Sequence, residues 1–233
     1  MKARIRIWIY PFVITSMILI LVISCKKKEE NNLFETGTVT DIEGNAYKTV
    51  KIGTQWWMAE NLNTTKYRNG DPIPNVYDGG EWRSLTTGAY CNYNNDVNIA
   101  STYGRLYNWY AVTDNRNIAP SGWHVPTNDE WALLITFLGG EGVACNKLKE
   151  KGNDHWKSFN SGATNETGFT AIPGGCRDLN PLFKFIGEWG MWWSFSENDK
   201  YSAWLLGMNI FGDIPRDSHN KYEGLSLRCV RDN

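Results

Sequence analysis

"GWHVPTNDEWALL", residues 122–134, admits two incompatible readings, and the choice between them decides the fold. His124 near Asp129 and Glu130 has the ingredients of acid–base chemistry, whereas Thr127 placed three residues before Glu130 has those of a capping box that starts a helix. The second reading prevails. Trp131, Leu134, Ile135 and Leu138 recur at helical spacing as one apolar stripe, and Gly139 ends it. Asp129 and Glu130 then face the positive end of the helix dipole, where each contributes from a few tenths to about 1 kcal/mol. No Ser or Cys nucleophile lies in local reach of His124, so the histidine is read as architecture at the helix entrance.

Upstream, "TVTDIEGNAYKTVKIGTQWWMAENL" alternates β-branched and aromatic residues and breaks at "EGN" and "GT", which predicts three short antiparallel strands joined by tight turns. Residues 63–102 read as one long loop, and loops of that length are usually functional or stapled. "YGRLYNWYAV" sets Leu106, Trp109, Tyr110 and Thr113 on one face, predicting a second short helix. Downstream, "GEWGMWWSFSE", "SAWLLGMNI" and "GLSLRCVRD" read as three closing strands. Strands, two helices, then strands and loops is an α+β order in a single domain.

Composition agrees with a folded domain: 42% of the 233 residues are apolar and 21% charged, with 12 Trp, 11 Tyr and 22 Gly. The N-terminus is different. Lys2, Arg4 and Arg6 precede an apolar run from Ile7 to Ile23, which ends in "LVISC". The pattern is that of an export signal over 1–24, the alternatives being an uncleaved anchor and plain secretion with a free cysteine. It resembles the bacterial lipoprotein signal, which implies lipidation of Cys25, and acyl chains contribute about 0.8 kcal/mol per buried methylene. The membrane is thus the first expected partner. "KKKEENN" follows as a solvated tether over 25–36, leaving 37–233 as the domain, and its "KEE" resembles a tag for display on the outer cell surface.

Removing Lys2, Arg4 and Arg6 from 24 basic and 25 acidic residues leaves a mature charge of −4. No basic stripe exists to neutralise phosphates, so nucleic acid is not an expected partner. Cys91, Cys145, Cys176 and Cys229 form an even set in an exported chain, which predicts two disulfides with three connectivities open.

Six ordered stretches, "DIEGNAYKTVKIGTQWWMAENL", "YGRLYNWYAV", "GWHVPTNDEW", "LKEKG", "ATNETGFTAIPGG" and "SLRCVRD", resemble the Fibrobacter succinogenes major paralogous domain, common in surface lipoproteins of Bacteroidetes-type bacteria. "GWHVPTNDEW" and "LSLRCVRD" are more distantly similar to the formylglycine-generating and sulfatase-modifying family. That likeness implies a C-type-lectin-like fold: two short helices on a small twisted antiparallel sheet whose first and last strands pair, with a long loop-rich half carrying the binding surface. The oxidase chemistry of that family needs two cysteines spaced C-x-x-x-x-C. Cys229 matches the second, but position 224 is Gly, so Cys229 is expected in a disulfide with Cys91, and Cys145 with Cys176 in a bridge particular to this chain.

The expected function is a lipid-anchored, surface-displayed binding or adhesion module for glycan or protein, with no catalytic residue, no cofactor and no metal ligand assigned. "NYNND" (92–96) and "ENDKY" (197–201) are read as turns rather than cation sites. Trp131, Trp109, Trp57 and Trp193 are expected in the core. Trp56, Trp82 and Trp192 are the candidate ligand contacts, since neighbours on a strand face opposite ways. The competing classes are an enzyme built around His124, His155, His219, Glu166 or Asp178, and a purely structural envelope component; convergence of His124 and His219 on a carboxylate would favour the enzyme.

Overall fold

In the computed structural model, which describes residues 34–157 and 160–232, the chain runs through twelve strands and five short helices. They are β1 (Thr36–Thr40), β2 (Ala46–Ile52), β3 (Gln55–Met58), α1 (Gly79–Ser84), β4 (Tyr90–Cys91), α2 (Val97–Tyr103), β5 (Leu106–Tyr107), α3 (Trp109–Val112) and β6 (Trp123–His124). There follow α4 (Asn128–Phe137), α5 (Glu141–Leu148), β7 (Gly174–Arg177), β8 (Phe183–Ile186), β9 (Trp189–Glu197), β10 (Ser202–Asn209), β11 (Arg216–Asn220) and β12 (Val230–Arg231). The architecture is α+β, with antiparallel pairing between all the named strands. The export signal, Cys25 and the tether as far as residue 33 lie outside the described residues. The tether's last residues already belong to the fold: Phe34 packs on the core, Lys51 N donates to Glu35 O at 2.9 Å, and β1 starts at Thr36. No helix among the described residues is long and apolar enough to cross a membrane.

The first three strands form as their alternation predicts, and their sheet has the order β1-β2-β3-β12-β6. The chain's last strand therefore sits in the middle, Val230 pairing with Trp57 on one side and His124 on the other. In a second sheet, β11-β10-β9, the paired central residues of β9 and β10 are buried on both faces. Met191, Trp193, Ala203 and Leu205 join one apolar cluster with Met58, Tyr107 and Leu227, while Trp192, Leu206 and Met208 join another with Trp57, Trp131 and Leu134. Both tryptophans of the 192–193 pair are fully buried as a result.

Residues 224–230 stitch these layers together. Gly224 exchanges backbone hydrogen bonds with Arg177 of β7 (2.8 and 2.9 Å), and Leu225 does so with Tyr107 of β5 (2.8 and 3.0 Å). Ser226 N donates to Met191 O, Ser226 O accepts from Trp193 N, Leu227 O accepts from Leu62 N, and Cys229 O accepts from Met58 N. The third closing strand is thus extended chain visiting one partner after another, and only Val230–Arg231 lies in a ladder. The hairpin partner of β10 is instead β11.

Arg228 anchors the crossing. Its buried guanidinium donates to Asn61 Oδ1 (2.9 Å), Thr170 O (2.8 Å) and Phe169 O, and it lies over the Phe169 and Trp192 rings at 4.4 and 5.5 Å. Asn61 Oδ1 also accepts from Trp192 Nε1 at 2.8 Å. Burial pushes Arg228 down to about 9, which leaves it charged at neutral pH.

Two expectations need correction. In "YGRLYNWYAV" only Trp109–Val112 is helical, because Leu106 and Tyr107 pair with β4 and Leu225, and Asn108 then caps α3 by accepting from Ala111 N. The stretch 63–102 holds α1, β4 and α2 and carries a small core of Val76, Trp82, Ala89, Cys91, Tyr93 and Leu106. Arg177 staples it by donating to Val76 O and Tyr77 O, both at 2.8 Å.

Replacing Arg228 with Ala takes the donor from Phe169 O and Thr170 O, leaves Asn61 Oδ1 with Trp192 Nε1 alone, and opens a cavity beneath two rings. Urea unfolding of Arg228→Ala is expected to show a loss of roughly 3 kcal/mol or more, which Arg228→Lys does not restore, because an ammonium cannot span the three acceptors.

Candidate functional site

Side chains along β9, β10 and β11 alternate, and the register puts Trp189, Met191, Leu205, Gly207, Asp217 and His219 on one face. The inner part of that face is sealed into the core. The outer part is open, and β8 with the turn before it forms the facing wall. Two cavities result, one of about 180 Å³ lined by Phe185, Trp189, Met191, Leu205, Gly207 and Pro215. The other, of about 510 Å³, sets the polar side chains of Asp178, Asn180, Lys184, Ser202, Asn220 and Glu223 around apolar surface that includes Leu179. Phe185, Asp217 and His219 line both, so the two form one groove with an apolar seat and a polar trough.

Glycine makes the seat. A Cβ on Gly207 would stand 3.3 Å from Pro215 Cγ and 3.4 Å from Trp189 Cζ3, so any side chain there would fill it. Around the trough, Lys184 pairs with Asp178 at 2.5 Å and His219 Nδ1 with Glu223 at 3.0 Å, while His219 Nε2 lies 3.9 Å from Asp217. Burial works against charge on His219, yet Glu223 and then Asp217 hold its pKa above the ordinary value. Lys184 and the backbone amides of Leu182 and Asn180 overcome burial to hold the Asp178 carboxyl below its usual range.

The candidate contacts chosen from sequence are elsewhere. Trp192 is buried against Phe169 and Arg228, because β9 has apolar layers on both sides. Trp82 is buried in α1 beneath Arg177, and its indole donates to Tyr222 O at 2.5 Å. Trp56 is half-buried against the core and beside Gly37, away from the groove. Trp57, Trp109, Trp131 and Trp193 are in the core as expected. The groove's own aromatics, Trp189 and Phe185, were missed. The signal was present: alternation puts Trp189, Met191 and Trp193 on one side of β9, and only the first lies outside the packed core.

The histidines do not converge. His124 stands on β6 between two carboxylates, Nε2 at 2.8 Å from Glu130 and Nδ1 at 2.6 Å from Asp232. Glu130 also closes the expected capping box on Thr127, so His124 ties the entrance of α4 to the chain's end. His155 pairs with Glu150 (2.8 Å), and Glu166 with Lys147 (3.1 Å). "NYNND" is a one-turn helix whose Asp96 caps α2, and in "ENDKY" Asp199 accepts from Tyr201 N and Ser202 N in the β9–β10 turn.

The disulfide expectation is overturned: Cys91, Cys145, Cys176 and Cys229 are free, buried thiols. Cys91 lies in the small core of the 63–102 stretch, Cys145 in the Trp131 cluster, and Cys176 and Cys229 in the Trp193 cluster, so neither expected pair shares a cluster. Burial pushes Cys145 up to about 11 and Cys91 and Cys176 up to about 12, and drives Cys229 higher still. Such thiols are packing groups rather than nucleophiles.

A family model described as the Fibrobacter succinogenes major domain matches residues 50–231. No curated protein and no solved structure matches the chain.

Two measurements test this description. Alkylation of the denatured, unreduced protein is expected to modify Cys91, Cys145, Cys176 and Cys229 alike; a pair that resists until reductant is added contradicts the assignment. For His124, the hydrogen bond to Glu130 and then that to Asp232 outweigh burial and raise the pKa. A folded-state pKa above the unfolded one adds stability that is complete below the unfolded value near 6.5 and is lost as pH climbs through the folded value. His124→Ala is therefore expected to flatten the fall in urea midpoint between about pH 6 and 8.

Proposed function

The chain belongs to the Fibrobacter succinogenes major domain family, and from that premise we propose that it is a non-catalytic binding or adhesion module, lipid-anchored through Cys25, exported to the outer membrane and displayed at the cell surface. The observation that carries the reading is the groove, an open apolar seat joined to a polar trough on one face of β9–β11. Concave apolar sites with a few convergent polar groups are what ligand surfaces are made of.

A C-type-lectin-like arrangement is part of the proposal. The pairing of first and last strands that such a fold implies does not occur, since β1 pairs with β2 and β12 with β3 and β6; the support is that β12 lies inside the sheet of the N-terminal strands and that α4 and α5 pack together against one core cluster. The groove lies in the strand- and loop-rich part that follows α5. Phe34, where the tether enters, lines a different cavity with Lys51, Phe137 and Lys147, and that cavity shares no lining residue with the groove. Tether and groove are thus separate surfaces, as display requires.

Three observations support a non-catalytic module. Each histidine is engaged by its own carboxylate. The thiols are held protonated by burial. At position 224, where the distant likeness to the sulfatase-modifying oxidases would call for a cysteine, a Cβ would meet Trp82 Cζ2 at 3.0 Å and Arg177 Cβ at 3.2 Å, so Gly224 serves close packing.

The anchoring is tested on cells that express the full chain. Labelled palmitate is expected to enter the protein, and external protease to remove it from intact cells, with both results lost in Cys25→Ser. Protein that carries no label, or that is shielded from protease until cells are opened, contradicts the proposed location.

A further inference from the structure

Taking the groove as the binding surface proposed above, we infer that its ligand is a neutral glycan, one pyranose ring seated between Trp189 and Phe185 and its neighbours lying along the polar trough. The inference rests on shape, charge and one backbone conformation.

A pyranose has flat patches of C–H groups and an equatorial edge of hydroxyls. It is recognised by an aromatic face set beside side chains that accept and donate hydrogen bonds at the edge. The groove has that layout. Trp189, half-buried and held in place by the register Trp189↔Asn209, forms one side of the seat. Phe185, a residue 43% exposed, forms the other. Met191, Leu205 and Pro215 close the base, and Gly207 leaves the space between them open. The 180 Å³ seat is too small for a folded partner's side-chain cluster and suits a single ring.

Phe185 is held in a conformation that its own chemistry disfavours. Its φ is +68°, in the left-handed region, which a bulky side chain occupies only where the surrounding structure holds it. The flanking ladder keeps it there through Cys176↔Lys184 and Gly174↔Ile186, and Phe185 O accepts from Glu188 N at 2.9 Å. The strain falls at the residue shared by seat and trough, and leaves an aromatic ring facing solvent instead of packed.

Charge selects the class. Asp178, Asp217 and Glu223 stand beside Lys184 and His219, and the Lys184 ammonium and the His219 ring are each engaged by a carboxylate. Asp217 is the most exposed of the rim carboxylates, its side chain 66% accessible, so the rim presents an acceptor to an incoming ligand. Sulfated or uronic-acid chains would meet repulsion there, whereas hydroxyls can donate to it. An extended basic peptide is the other chemistry an acidic rim attracts. The trough's amides and hydroxyls, Asn180, Ser202 and Asn220, favour the ligand with many small polar groups over one with a few strong charges.

The test uses the full lipidated chain on liposomes, probed with neutral oligosaccharides (glucans, mannans, xylans), with polygalacturonate and heparin as anionic glycans, and with a library of basic peptides. Binding to at least one neutral series is expected. Trp189→Ala and Gly207→Leu should weaken it at least tenfold, and Asp217→Asn, on the exposed rim, severalfold with an unchanged thermal transition. Preference for anionic glycans or peptides, or neutral binding indifferent to all three substitutions, overturns the ligand class while leaving a binding module. Silence with every probe overturns both.

Discussion

The passage of residues 224–230 through the interior is the constraint on which everything else rests. These seven residues bond in turn to β7, β5, β9, the segment after β3, β3 itself and, through Val230, β6. Short strands of two to four residues are marginal alone, and β3, β5, β6 and β7 are all that short. A single extended segment that satisfies each of them in sequence turns many weak pairings into one cooperative unit. Arg228 fixes the register by spanning Asn61, Phe169 and Thr170, groups that come from two distant parts of the chain.

That crossing also explains how the groove comes to exist. Ser226 bonds to Met191 and Trp193, so the inner half of the β9–β10 face is pressed against the core and the strands are held rigidly. The outer half projects past the crossing, where Trp189 stays half-buried and lines the seat together with Leu205, Pro215 and the facing Phe185. Arg177, on β7 beside that turn, reaches back to Val76 and Tyr77 and joins the 63–102 stretch to the same scaffold. A binding surface built on ladders fixed from behind gains affinity from preorganisation.

Local signals in the sequence were the most faithful. Thr127 and Glu130 stated the start of α4, and the alternation from Thr38 to Met58 stated three strands, because capping and strand patterning are decided within a few residues. Trp192 was misplaced for a reason that lies outside its neighbourhood. Alternation says that Trp192 and Trp193 face opposite ways, but only tertiary packing says that both sides of β9 are interior. Trp82 was hidden likewise, since a stretch with the composition of a loop folds around it. The even cysteine count pointed to bridges, but parity carries no geometry, and the members of each expected pair lie in different clusters of the core. The groove draws on positions from 176 to 223, and no linear motif joins Phe185 to Asp217.

Native-state hydrogen exchange at the crossing addresses the account most directly. The amides of Met58, Leu62, Tyr107, Trp193, Leu225 and Ser226 all donate to or across this one segment. If it is the shared fastening, they exchange only through global unfolding, with one common opening free energy and one common denaturant dependence. Opening of the Tyr107–Leu225 or Met191–Ser226 contacts at markedly lower free energy than β2–β3 would show that the sheets stand without the crossing, and the account would be wrong.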